Sequence, residues 1–299
     1  MQGRGRRNGV PPNEGEPQVS LTGRAPWGTA SAEKKFIGFN IPLRAMSGAM
    51  AFRRVTPEQQ SIVGHSHDWI SITIPMLGRY SEAYGDREVW LGGPAATLHP
   101  HGEWHGNRVA SLGAEAVAIR LDPVRLKLAG YDLRIDRTSC WNGGRVGAAA
   151  RRLATSWSDE SASEEELLQK TGRFLVDALA CEENASAPPW LGYILEKLDD
   201  PAPFSTTEAA RDLGLHPAWV ARAYRRIMGE GILESISRRR VDRAFALLRS
   251  TDLPLAEIAA EVGFCDQSHM NRTFKALAGR TPLQVRQEAR SSPVTSLSE

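Results

Sequence analysis

Between Gln267 and Lys275 the chain sets out side chains of the kind that read base edges and hold phosphates: Gln267, Ser268, Asn271, Arg272 and Lys275. Arginine and lysine donate to guanine, glutamine and asparagine pair with adenine, and all of them can bind a phosphate oxygen. A weaker second set stands upstream in Ala218, Ala221, Arg222 and Arg225, whose two alanines offer little direct readout. A third group could hold a metal, because His65, His67 and His105 can supply neutral nitrogen ligands to a divalent ion. Trp69, Trp90 and Trp104 lie among them and could wall an apolar pocket. No glutamate sits at a useful distance after His67, and Glu82 lies too far along the chain. The expectation is therefore a polar fixture or an organic-ligand site, with no metal, no cofactor and no catalytic residue.

Helices must carry the first two sets. Met270, Phe274 and Leu277 fall at i, i+4 and i+7, an inward stripe that turns the polar set outward, and Val220, Tyr224 and Ile227 do the same upstream. Ala259 stands one helical turn before Gly263, where a small side chain lets the next helix cross closely and the glycine supplies the positive φ that ends a helix. The pattern occurs twice. Ala210, Gly214, Arg222, Tyr224 and Gly229 answer Ala259, Gly263, Arg272, Phe274 and Gly279 at offsets of 49 residues before the turn and 50 after it. A repeat in register at a fixed period seldom arises by chance.

This double pattern resembles the AraC/XylS family of bacterial transcription regulators, whose DNA-binding part is two helix-turn-helix units joined by a long helix. The joining helix is visible around Arg240, Ala244, Leu247 and Leu248, and the close is Gly279-Arg-Thr281-Pro282 followed by Arg286. Met270 and Val285 depart from the family's usual aromatic and tyrosine. His216 stands where the first unit normally has serine before Pro217, which predicts a weak cap on the first reading helix. The resemblance implies double-stranded DNA as partner, a small-molecule effector, RNA polymerase as a further contact and a homodimer.

The remaining chain fits a regulator of more than one domain. It has 299 residues and a formal net charge of only +2, whereas residues 204 to 290 hold 14 Lys/Arg against 10 Asp/Glu, a net of +4. A basic excess at this end suits a polyanionic partner. Arg238, Arg239 and Arg240 read either as phosphate contacts or as a solvated helix start. Cys140, Cys181 and Cys265 have no paired spacing, so neither a disulfide framework nor a thiolate zinc site is indicated. No apolar run approaches the ~20 residues that span a bilayer, and the start lacks a signal core, so the expected location is the cytoplasm, away from membranes.

Residues 36 to 122 hold short runs rich in Ile, Val and Trp, such as FIGFNIP, WISITIP, EVWLG, ATLHP and AVAIRLD, separated by turn residues. These predict strands of a barrel or jelly roll. His65-Ser-His67, expected to open a strand, and Pro100-His-Gly-Glu-Trp-His105 resemble the two cupin motifs in part. Helices follow. One carries a broad stripe of Leu167, Leu168, Thr171, Phe174, Leu175, Ala178 and Leu179, which needs a partner on the barrel or on a second subunit.

The expected architecture is α+β and multidomain. Residues 1–30 form a disordered extension in which Arg4, Arg6 and Arg7 could touch DNA, and residues 31–183 a cupin-like sensory and dimerisation barrel with flanking helices. Residues 184–189 are a linker, 190–290 an all-α domain of two helix-turn-helix units, and 291–299 a disordered tail. The reading is a sequence-specific transcriptional regulator, not an enzyme, controlled by an effector in the barrel. A metal-dependent cupin enzyme carrying a DNA-binding tail is the alternative.

Overall fold

The structure, a computed structural model, describes residues 39–56, 61–181, 188–199 and 204–291. The expectations for both ends, and most of the expected linker, lie outside them. Eight strands form one antiparallel sheet: β1 (Phe39–Met46), β2 (Ala49–Thr56), β3 (Ser61–His65), β4 (Ile70–Tyr84), β5 (Arg87–Gly92), β6 (Ala95–His99), β7 (His105–Leu121) and β8 (Ser139–Asn142). Its path runs β1-β2-β7-β4-β6-β8, with β3 added to β7 and β5 to β4. His65 closes β3 and His67 lies in the connection to β4, so the His-x-His pair ends a strand and does not open one.

The long strands β4 and β7 bend together. Their register shifts between Pro75 and Leu77 and again between Gly78 and Tyr80, and Gly78 takes a φ of 70° where a Cβ would collide with the Gly113 carbonyl. The consequence is measurable across the sheet. Ser71 pairs with His99, and Glu82 lies eleven residues farther along β4, roughly 36 Å if the strand were straight. Instead a Glu82 carboxylate oxygen sits 3.1 Å from the His99 ring. The sheet is therefore rolled over on itself, as a barrel requires, while β1 and β8 share no ladder among the described residues.

Helices α1 (Pro123–Leu128), α2 (Gly144–Trp157) and α3 (Glu164–Leu179) follow the strands. Ser163 caps α3 by accepting from the Glu166 amide, and three glutamates in its first turn suit the positive end of the helix dipole. Its apolar stripe is covered within the chain. Leu167, Leu168, Phe174, Leu175 and Ala178 share one core with Trp157 of α2 and with Ile70, Ile72, Val117 and Ile119 of the sheet. A second subunit is not what this stripe is for.

The remaining chain is helical: α4 (Pro189–Asp199), α5 (Thr206–Asp212), α6 (Pro217–Met228), α7 (Ile232–Ser250), α8 (Leu255–Glu261), α9 (Gln267–Ala278) and α10 (Pro282–Ser291). Leu191, Ile194, Ala210, Val220, Tyr224 and Ile232 make one core. Val241, Phe245, Ile258, Ala259, Met270, Phe274 and Val285 make another, joined by Leu77 of β4. No helix among the described residues is long and apolar enough to cross a membrane.

That shared leucine marks a junction of sheet and helices. Beside it the Gly78 amide donates to Asp242 Oδ1 of α7 at 2.8 Å. Buried Arg280 pairs with buried Glu115 of β7 and with Glu288, which also meets Arg53 of β2 at 3.3 Å. Arg151 of α2 donates to the Leu277 carbonyl at the end of α9.

Truncating one partner of a buried pair leaves the other charge uncompensated, so Arg280→Ala should cost about 3 kcal/mol by urea unfolding, with no loss in Arg134→Ala at the surface. Burial pushes the Asp242 carboxyl up from 3.8 to about 6, against the Gly78 hydrogen bond and nearby arginines. The folded state then holds a proton that the unfolded chain releases, so this residue's contribution to stability falls as pH rises from about 4 through 6. Asp242→Asn keeps an acceptor for Gly78 without the charge. It should match the wild type below pH 4 and exceed it by about 3 kcal/mol above pH 7, measured by urea midpoints across that range.

Candidate DNA interface and histidine cluster

Helix α9 begins at Asp266, whose carboxylate accepts from the His269 amide at 2.6 Å, and ends at Gly279 with a left-handed φ of 75°. Between these caps Met270 and Phe274 are fully buried, while Ser268, Arg272 and Lys275 are exposed. Gln267 and Asn271 are half-buried, and Asn271 Oδ1 is buried without a hydrogen-bond partner. The outward face of α9 is thus centred on Ser268, Arg272 and Lys275.

Helix α6 is built the same way, ending at Gly229 with a φ of 74°. His216 does cap it. The imidazole Nδ1 accepts from the Ala218 amide at 3.2 Å, taking the place of a serine oxygen and correcting the weak cap expected from the sequence. Ala218, Ala221, Arg222 and Arg225 are exposed. So is Trp219, which sequence reasoning passed over; its ring meets Trp190 edge to face at 5.4 Å. An indole next to two alanines gives this helix a large apolar contact that its short side chains do not.

The three arginines at 238–240 have separate fates. Arg238 is buried and paired with Glu230, so it is neither a solvated helix start nor a phosphate contact. Arg239 lines a cleft with Arg79, Glu230 and Asp242. Arg240 lies over the Phe264 ring at 6.0 Å.

Within the sheet the fold gathers four histidines and a glutamate. His65, at the end of β3, pairs across the ladder with His105, at the start of β7. His67 joins them, with ring centres 4.7, 4.5 and 5.1 Å apart and planes inclined by 50° to 70°. His99 stacks on His105 at 3.8 Å and 9°. Glu82, dismissed from the sequence as too distant, enters from β4 because of the bend. It is buried, and its Oε2 accepts from Asn107 Nδ2 at 2.7 Å.

Glu103, also unmarked in the sequence, orients two of the rings. Its backbone carbonyl lies 3.1 Å from His105 Nδ1; a carbonyl only accepts, so Nδ1 carries the proton and Nε2 is left as a lone pair. Its carboxylate takes the Thr138 hydroxyl proton, so Thr138 must accept from His99 Nδ1 at 2.8 Å. His99 Nε2 then faces Glu82 Oε1, close enough for an ion pair but without the alignment of a hydrogen bond, and Oε1 has no donor among the described residues.

Burial opposes protonation of two of the rings. Burial lowers the His67 pKa to about 3, helped by Arg120, His65 and Arg54, and burial with His99 and His65 lowers that of His105 further. Arg54, itself lowered to about 10 by burial and Arg120, stands in the barrel interior with Thr73, Tyr80 and Asn107 around a narrow space with room for about one water. The tryptophans do not wall that space. Trp104 is exposed and covers Gly64, Trp90 is exposed, and Trp69 is half-buried.

Comparison with known proteins agrees with the helical geometry. A helix-turn-helix domain model matches residues 209–288. The HTH-type transcriptional regulator GlxA of Rhizobium meliloti is 29% identical over 149 residues, 49% of this chain and 44% of that protein. The arabinose operon regulatory protein of Escherichia coli is 31% identical over 94 residues, 31% of this chain and 32% of its own length. The chain thus spans less than half the length of these relatives. Among solved structures, ToxT of Vibrio cholerae aligns over 83% of this chain and all of its own at 12% identity and a TM-score of 0.38. The match runs through both helix-turn-helix units, α7 between them and the two glycine caps, and it makes residues 209–288 a helix-turn-helix domain of the AraC type.

Proposed function

We propose that the whole chain is a sequence-specific, DNA-binding transcriptional regulator of the AraC type whose barrel receives an effector, and that it is not an enzyme. The observation that carries the reading is the repeated helix pair, α6 and α9, each capped at both ends and each presenting exposed arginine or lysine on the face away from its core. Held by α7, the two would enter successive major grooves on one face of the duplex, about one helical turn or ~34 Å apart. Arg272 and Gln267 are assigned to base edges, Arg222 and Lys275 to base or phosphate, and Ser268, Asn271, Arg225, Ala218 and Ala221 to the remaining contact surface. The barrel interior around Arg54, Thr73, Tyr80 and Asn107 is where such an effector would lie. A regulator of this kind works in the cytoplasm, where its DNA is.

The test is recovery and footprinting of genomic fragments by the purified protein at near-physiological salt. Protection of about two helical turns is expected. Arg272→Ala should cost about 1 to 3 kcal/mol at one base position and relax preference there, whereas a uniform loss over all sequences would assign Arg272 to phosphate instead.

A further inference from the structure

We infer that α2, a helix of the sheet half, sets the spacing and mutual rotation of the two reading helices, with Arg151 as the positioning residue. It thereby decides how far apart the two base-reading segments of an operator must lie. The operator clause rests on the regulator reading above; the brace itself does not.

Helix α2 has two occupied faces. Val146, Ala150, Leu153 and Trp157 fall at i, i+4, i+7 and i+11 and are buried in the core shared with the sheet and α3. Gly144, Ala148 and Arg151 fall at i, i+4 and i+7 on the opposite side and meet the helical half. The start of the helix is fixed to the sheet. The Gly143 amide donates to the Pro94 carbonyl at 2.7 Å, and a Cβ on Gly147 would collide with that same oxygen.

Both reading helices end on the second face, at equivalent points of the repeat. The last turn of α6 abuts the N-terminus of α2: a Cβ on Gly143 or Gly144 would lie 3.3 or 3.4 Å from the Ile227 carbonyl oxygen. A Cβ on Gly229 would collide with the Gly144 carbonyl and lie 3.3 Å from Ala148. The amide end of one helix thus faces the carbonyl end of the other, a favourable alignment of dipoles. In α9 the matching carbonyl is that of Leu277, fifty residues after Ile227, and it accepts from Arg151 Nη2 at 3.0 Å. One helix therefore touches the same backbone station in both units, once by close packing and once through a guanidinium.

The Arg151 side chain spans the gap between the units. It stands seven residues, roughly 10 Å of helix rise, beyond Gly144. Burial lowers its pKa, opposed by Glu230 after α6 and by Asp242 and Glu234 of α7. Helix α7 by itself leaves the offset of the units open. Its core with the first unit includes Ile232 and its core with the second Val241, Phe245 and Leu248, along a helix of 19 residues and roughly 28 Å. Long helices are rarely straight, and a gentle bend over that length moves one reading helix against the other. A brace across their carbonyl ends removes this freedom.

The test pairs a DNA panel with a distance measurement on the full-length chain. An operator recovered by footprinting is rebuilt with one base pair inserted between its two protected segments, which moves one segment by ~3.4 Å and turns it by roughly 35°. The wild type should lose at least tenfold in affinity, Arg151→Met less than threefold, and Arg151→Lys an intermediate amount. Arg152→Met, exposed on the same helix, should behave as the wild type. Equal losses in the wild type and a folded Arg151→Met overturn the positioning role. Spin labels at Arg226 and Ala276, exposed and equivalent in α6 and α9, are placed on a chain with Cys181 and Cys265 replaced by serine. They should give one narrow distance in the DNA-free protein and a broader spread in Arg151→Met. A broad spread without the Arg151 substitution overturns the brace, whether or not Arg151→Met folds. If no DNA sequence is selected by the wild type, the regulator reading fails and the operator role with it, while the label distances still decide the brace.

Discussion

A single bend in β4 answers to three parts of the molecule. Leu77 gives its side chain to the core of the second helix-turn-helix unit, Gly78 gives its amide to Asp242 of α7, and Glu82 enters the histidine cluster. Only glycine tolerates both the left-handed φ at 78 and the close approach of the Gly113 carbonyl, so the bend is fixed by backbone sterics. Without it β4 would run straight, Glu82 would lie far from His99, and Leu77 would not reach Phe245. The rolled sheet and the docked helices are consequences of the same few residues.

Charges at this junction are held under tension. Burial raises the pKa of Glu115, opposed chiefly by Arg280 and then by Arg53. Asp242 is raised in the same way. Ion pairs of this kind contribute little net stability compared with apolar contacts, but they tolerate few alternative registers because an unmatched buried charge is so costly. The junction is thus suited to a defined docking that a modest perturbation can shift. The histidine cluster lies along the same two strands.

The helical half was legible because its information is local. Caps, turn glycines and the i, i+4, i+7 stripes all fall within a dozen residues, and the repeat at 49 and 50 residues doubled the signal. Even His216 follows local rules, since an imidazole nitrogen can accept an amide proton as a serine oxygen does. The cluster was half legible. His65, His67 and His105 stood out by type, whereas Glu82, His99 and Glu103 are brought in by strand pairing and by the bend, neither of which spacing encodes. Arg238 is hidden for a related reason: a run of three arginines reads as phosphate contacts or as a solvated helix start until Glu230 pairs with it in the fold. The stripe of α3 shows by its pattern that it needs a partner, but which partner depends on how the sheet curls.

Sheet and helices joined at the β4 bend should behave as one cooperative body. Hydrogen exchange of the full-length chain in low urea tests it directly, by following amides of β4 (Ile70–Tyr84) and of α7 (Ile232–Ser250) in the wild type and in Leu77→Ala. Both segments should lose protection together, and Leu77→Ala should lower the protection of both. Opening of α7 at a urea concentration that leaves β4 protected, with Leu77→Ala affecting only one of them, would contradict it.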